Sequence, residues 1–196
     1  MLFYFLKPSF SRGVYNSIEF SKISIEFIKT DELFIFGYFL SKMMEKTEHR
    51  KIAVDCFNNT WNVLDKPEKT ADDQAEAILL AHTSLWHWLQ CGEAINAQRG
   101  EWMIARVYAV FEMGEMALYH AKRCFELTQK HDFKDFDLSF GYETMARALA
   151  VLKRNEEALH YYNLAKTSAE VITKQEDKDY FLNDLGSTGK LLGISH

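Results

Sequence analysis

Three triplets of mostly small residues recur at near-constant spacing, and this restricts the chain to one kind of architecture. Ala77, Ala81 and Ser84 are followed 40 residues later by Ala117, Ala121 and Cys124, and after 41 more by Ala158, Tyr162 and Ala165. Within each triplet the spacing is i, i+4, i+7, one face of an α-helix. Small residues on that face let a second, antiparallel helix approach closely. A helix pair cannot bury its apolar stripe alone, so a period near 40 predicts hairpins stacked into a continuous core.

The central copy, Arg99–Phe125, reads RGEWMIARVYAVFEMGEMALYHAKRCF. Ile104, Ala105, Tyr108 and Phe111 form its first helical stripe. The spacing predicts a turn at Met113–Gly114, with Gly114 breaking the helix and Glu115 opening the next at its positive end. Applied along the chain, the same reading predicts helices over Glu45–Leu64, from Thr70 to about Gln90, and over Ala97–Glu112, Glu115–His131, Leu138–Lys153 and Asn155–Thr173. A short last helix, Glu176–Leu185, would close the stack with its polar face. Thr70, Asp137 and Asn155 are candidate N-caps. The expected fold is therefore all-α, about three antiparallel hairpins plus a short terminal helix. It comprises a helical domain over 43–185, an extension over 1–42 and a loose tail over 186–196.

At this point the residues resemble the tetratricopeptide repeat. Ala105, Tyr108, Ala117, Ala121 and Cys124 follow that family's order of small, aromatic and small positions. Tyr142, Met145, Ala146, Leu149, Ala158, Tyr162 and Ala165 follow it more closely, with Glu156-Glu157-Ala158-Leu159 opening the second helix. The period is longer than the family's 34, and the proline that closes each repeat is absent. The stretches RGEW, RVYAVF, ALYHAKRC and DFDLSFGYETMARA also resemble uncharacterised bacterial proteins with such arrays, over roughly Ala71–Ile172. That second likeness implies no activity. The first implies a superhelix whose first helices line a concave groove.

Carrying the groove positions over residue by residue gives Arg99, Trp102 and Arg106 on one helix and Phe140, Glu143 and Arg147 on the next. Each set has spacing i, i+3, i+7, so each shares a face independently of the likeness. Arginine suits bidentate capture of carboxylate or phosphate, and Trp102 offers a flat stacking face. The first reading is a protein- or peptide-binding module that takes a partner with acidic groups. Replacing Arg106 and Arg147 would then abolish capture and spare the fold. The competing reading is an internal network, with Glu143 pairing to Arg106 or Arg147 and Asp135 or Asp137 engaging an arginine.

A second candidate is a small-molecule or metal-binding pocket, or an enzyme's, built from His82, His87, Trp88 and His120. His87 with Cys91 and His120 with Cys124 are i, i+4 pairs that could combine into a zinc site. Such spacing is common by chance, and no metal or other cofactor is predicted. No glycine-rich phosphate loop, nucleophile elbow or CxxC occurs, so the sequence selects no catalytic residue.

The 196 residues carry a net charge of −5 with no basic stretch, which argues against nucleic-acid binding. Cys56, Cys91 and Cys124 sit inside helical patterns without disulfide-like spacing, which suggests reduced thiols in the cytoplasm. Residues 1–40 hold eight of the fifteen Phe and no Ala, His, Trp or Gln. Charges at Glu26, Lys29, Asp31 and Glu32 argue against a membrane span there. Two readings of this extension stand side by side. It is an apolar arm that packs on the array or on a second copy, making a homo-oligomer, or translation begins at Met43 or Met44.

Overall fold

The computed structural model describes residues 44–194. The extension over 1–42 lies outside the described residues. Seven α-helices follow in order: α1 (Lys46–Leu64), α2 (Ala71–Cys91), α3 (Ala94–Val110), α4 (Gly114–Lys130), α5 (Asp135–Val151), α6 (Asn155–Ser168) and α7 (Gln175–Leu191), with a 3-10 turn at Ala169–Val171. No strand occurs among the described residues.

Consecutive helices pair as hairpins, α1 with α2, α3 with α4, and α5 with α6, and each hairpin packs on the next. The repeated triplets lie in the seams: all nine of their side chains are buried. The first helices also touch along the stack, α1 to α3 and α3 to α5, and α7 completes that row against α5. The second helices α2, α4 and α6 do not touch one another, so the stack is tighter on the first-helix side. Helix α3 therefore has neighbours all round, and every residue from Gly100 to Ala109 is buried. The same holds for α5 from Ser139 to Ala150, apart from Tyr142.

Local chemistry sets the helix ends. The Thr70 hydroxyl accepts from the Asp73 N–H at 3.2 Å, and the Asp73 carboxylate accepts from the Thr70 N–H at 2.8 Å. This is a reciprocal capping box. Lys66 and these Thr70 bonds hold the Asp73 carboxyl down at about 2. Helices α3, α4 and α5 end alike, on a left-handed residue that is not glycine: Glu112 (φ 58°), Asp132 (φ 52°) and Lys153 (φ 61°). The next N–H then reaches back five residues, from Met113 to the Tyr108 carbonyl, Phe133 to Thr128 and Arg154 to Leu149, at 2.8–3.0 Å.

Several expected boundaries need correction. Gly114 does not break a helix; it opens α4, where a Cβ would stand 2.7 Å from Leu152 Cδ2. Its role is close approach between hairpins, and Glu112 makes the turn. Asp137 is no cap, because α5 begins at Asp135, whose carboxylate instead accepts from the Thr173 hydroxyl at 2.8 Å. Asn155 is the first residue of α6, with Arg154 at the cap. The last helix runs to Leu191 rather than Leu185. Gly186–Leu191 is thus part of the packed array, and Thr188 and Gly189 are buried.

Candidate functional site

The first-helix face carries the residues that the repeat resemblance singled out, and the structure divides them into two groups. Arg106, Glu143 and Arg147 do not line a shared open groove: they are 7%, 0% and 8% exposed, and Arg147 alone of the three edges a separate hollow of about 430 Å³ beside Ala109 and Leu191. Helix α7 lies over them and supplies their partners. The Arg147 Nε donates to Glu143 Oε1 at 2.8 Å, and Arg106 Nη2 donates to Glu143 Oε2 at 3.4 Å. Arg106 also forks onto Asp184, with Nη1 at 2.7 Å from Oδ1. Arg147 reaches Ser187 Oγ at 2.7 Å, and the Thr188 hydroxyl donates to Glu143. Burial opposes the charge on Asp184, yet Arg106 and Arg147 hold its carboxyl below the usual range. Burial and the neighbouring Arg106 press the Arg147 guanidinium downward. Two cations and two anions from α3, α5 and α7 form a neutral interior network, the competing reading given above.

The second group meets a cleft, with Arg99 half-exposed at its mouth and Trp102 and Phe140 buried in its walls. Arg99, Trp102 and Phe140 border a half-open cleft of about 210 Å³ formed by α1, α3, α5 and α7. Six rings wall it: Phe57, Trp61, Trp102, Phe136, Phe140 and Tyr180. Trp102 lies at the centre, with ring centroids 6.4 Å from Phe57, 5.8 Å from Trp61 and 5.2 Å from Phe140. At the mouth, Arg99 forks onto Asp137 at 2.8 and 3.0 Å, and this bond holds the Arg99 guanidinium above its usual range. The Arg99 side chain is still 52% exposed and Tyr180 is 49% exposed. A smaller hollow of about 160 Å³ adjoins, sharing Phe57 and Arg99 and bounded by Val54, Trp88, Asn96 and Gly100. Arg50 lies over its Trp88 ring at 5.7 Å.

Sequence reasoning missed Phe57, Trp61, Gln98, Phe136 and Tyr180. Phe57 and Trp61 carried a signal, since they stand four residues apart in α1 and so share one helix face. Tyr180 carried none, because only the length and path of α7 bring it to the cleft.

The histidine candidates do not form one pocket. His82 and His120 meet, with ring centroids 5.3 Å apart, and the His82 ring nitrogen lies 3.2 Å from the Tyr108 hydroxyl. His120 Nδ1 is 2.7 Å from Glu101 Oε2, and Arg123 donates to the other Glu101 oxygen at 2.6 Å. Burial opposes the charge on Glu101, but His120 and Arg123 hold it below its usual value. His87 lies elsewhere, 2.9 Å from His49 between ring nitrogens, and Trp88 belongs to the smaller hollow. Among the described residues no three His, Cys, Asp or Glu side chains converge as a metal site. Burial pushes the Cys124 thiol up, as befits an inert core residue.

Burial, reinforced by His120, keeps His82 below its ordinary value, and burial with His49 does the same for His87. A depressed folded value means that the unfolded chain binds these protons more readily once the pH drops below about 6.5. The stability they contribute is present above that pH and is lost as the pH falls through the folded values. The melting temperature is therefore expected to fall between pH 7 and 5, and His82→Gln with His87→Gln should flatten the fall. Glu101, with a depressed carboxylate value, keeps its contribution until below about pH 4.

No protein-family model, curated protein or solved structure matches this chain. Among the described residues no helix is long and apolar enough to cross a membrane.

Proposed function

We propose that the chain is a cytoplasmic, tetratricopeptide-like interaction module that grips a peptide segment of a partner protein by an aromatic or large apolar anchor side chain. The observation that carries this reading is the pair of adjoining hollows on the first-helix face, about 210 and 160 Å³ in volume. Pockets for drug-sized ligands run from about 300 to 1,000 Å³, whereas about 150 Å³ of apolar cavity holds benzene. Each hollow thus suits one side chain, and their shared wall of Phe57 and Arg99 suits neighbouring residues of one peptide. Arg99 at the mouth can exchange part of its bond to Asp137 for a peptide carboxylate or carbonyl. The acidic-partner expectation thus contracts from three arginines to one, because Arg106 and Arg147 are committed inside.

Selection of a random peptide library on the full-length protein tests the reading. Enriched peptides should share an aromatic or large apolar residue, and Trp61→Ala should weaken them at least about tenfold, the scale of an interface anchor. Trp61 is half-buried at the edge of the core, so this truncation is expected to spare the fold. No enrichment, or enrichment indifferent to Trp61→Ala, would overturn the assignment.

A further inference from the structure

We infer that the hollow of about 430 Å³ edged by Arg147 binds a free α-amino acid with an aliphatic side chain, in its zwitterionic form. This site is separate from the anchor cleft and does not depend on that reading. Trp102 and Val110 are eight residues apart on α3, roughly 12 Å at about 1.5 Å per residue, so the new hollow lies toward the carboxyl end of the helix.

Three helices end at this hollow. Val110, Val151 and Leu191 are the last residues of α3, α5 and α7, and all three border it. A helix end of this kind carries partial negative charge. No backbone N–H from the following turns returns to the carbonyls of Val110 and Val151. Glu112, a left-handed turn residue exposed at the rim, adds a carboxylate. This side of the hollow favours an ammonium group.

The facing side favours a carboxylate. Arg147 is only 8% exposed, with Nε committed to Glu143 and Nη2 to Asp184 and Ser187. Its third nitrogen, Nη1, takes no hydrogen bond, and it is not one of the enclosed, unpartnered polar atoms, which among the described residues are Gln98 Oε1, Trp102 Nε1 and Thr144 Oγ1. Nη1 therefore meets open space, and the hollow is the space that Arg147 borders. Glu143 and Asp184 already balance the guanidinium charge, so Nη1 offers directed N–H groups rather than net charge. Lys153, exposed at the rim, supplies the full positive charge. An arginine N–H with a nearby ammonium is a carboxylate-binding pair.

A lone anion would sit against Glu112 and three helix ends, and a lone cation against Arg147 and Lys153. An ammonium and a carboxylate on one carbon answer both sides at once. A longer peptide carries these charges at opposite ends, so neither terminus brings both. The aliphatic side chains of Val110, Val151 and Leu191 suit an aliphatic side chain on the ligand. The volume exceeds the roughly 150 Å³ that holds benzene and falls in the lower part of the range of about 300–1,000 Å³ for small-molecule pockets.

The test is isothermal titration calorimetry of the full-length protein with L-leucine, 4-methylpentanoate and 3-methylbutylamine. The second and third compounds are leucine without its ammonium and without its carboxylate. Leucine should bind at least about tenfold more tightly than either, and more tightly than glycine, which lacks the side chain. Glu112→Gln and Lys153→Gln should each weaken leucine by about threefold or more, the scale of an exposed charge pair, and Lys153→Arg should retain it. Both positions are exposed, so these variants should melt with the parent protein. No leucine binding at millimolar concentration would overturn the inference. So would either analogue binding as tightly as leucine, or leucine binding indifferent to both Gln substitutions.

Discussion

Glu143→Ala is expected to destabilise the protein by about 3–5 kcal/mol, read as a lower denaturation midpoint in urea followed by helical circular dichroism. The carboxylate is fully buried and takes bonds from Arg147, Arg106 and Thr188. Truncation leaves two guanidinium groups in the interior with Asp184 as their remaining anion. Such a pair is not strongly stabilising relative to a well-packed apolar substitute, but removing one partner strands the charge of the other. Against a typical total of about 5–15 kcal/mol, the loss is a large fraction of stability. The same reasoning reverses the sequence-based expectation for Arg106→Ala with Arg147→Ala. That double variant should lose fold stability, not binding alone, because Asp184 and Glu143 are then left buried without their cations. A loss below about 1 kcal/mol for Glu143→Ala would mean that water reaches the network, reopening it as a groove.

Phe181→Ala should cost a similar amount, about 3–5 kcal/mol, by the lost transfer energy and the cavity left behind. Phe181 is the largest fully buried side chain of α7 and meets Phe140 edge-to-face with centroids 4.9 Å apart. Phe140 in turn meets Trp102 edge-to-face across the anchor cleft. The substitution therefore has a second readout: peptides captured by the parent protein should bind Phe181→Ala more weakly even below its melting temperature, because Phe140 loses its backing. Unaltered stability would show that α7 packs on α5 without depending on this ring.

These two expectations bear on how far the fold could be read from residues alone. The seams were legible because Ala77, Ala117 and Ala158 announce helix pairs through spacing, a property of one short segment at a time. The turns were less so. Glu112 and Lys153 take left-handed backbone that glycine normally marks, so Gly114 looked like the breaker when its missing Cβ serves contact with Leu152. The end of α7 was hidden for another reason. Gly186 and Gly189 weaken a helix locally, and the helix persists because Ser187 and Thr188 bond to Arg147 and Glu143 from a different hairpin.

The candidate site divides along the same line. Facing positions of Arg99, Trp102 and Arg106 on one helix, and of Phe140, Glu143 and Arg147 on the next, follow from helical periodicity and were visible in the chain. Which of them meets solvent was not, since that depends on where α7 comes to rest. By itself the sequence determined an all-helical stack of hairpins with one aromatic and arginine-bearing edge, because local spacing dictates which side chains share a helix face. Only the tertiary structure decided that two of those arginines are neutralised inside while Arg99 and Tyr180 stay exposed at the mouth of a cleft walled by Trp102, because burial and charge pairing depend on segments far apart in the chain.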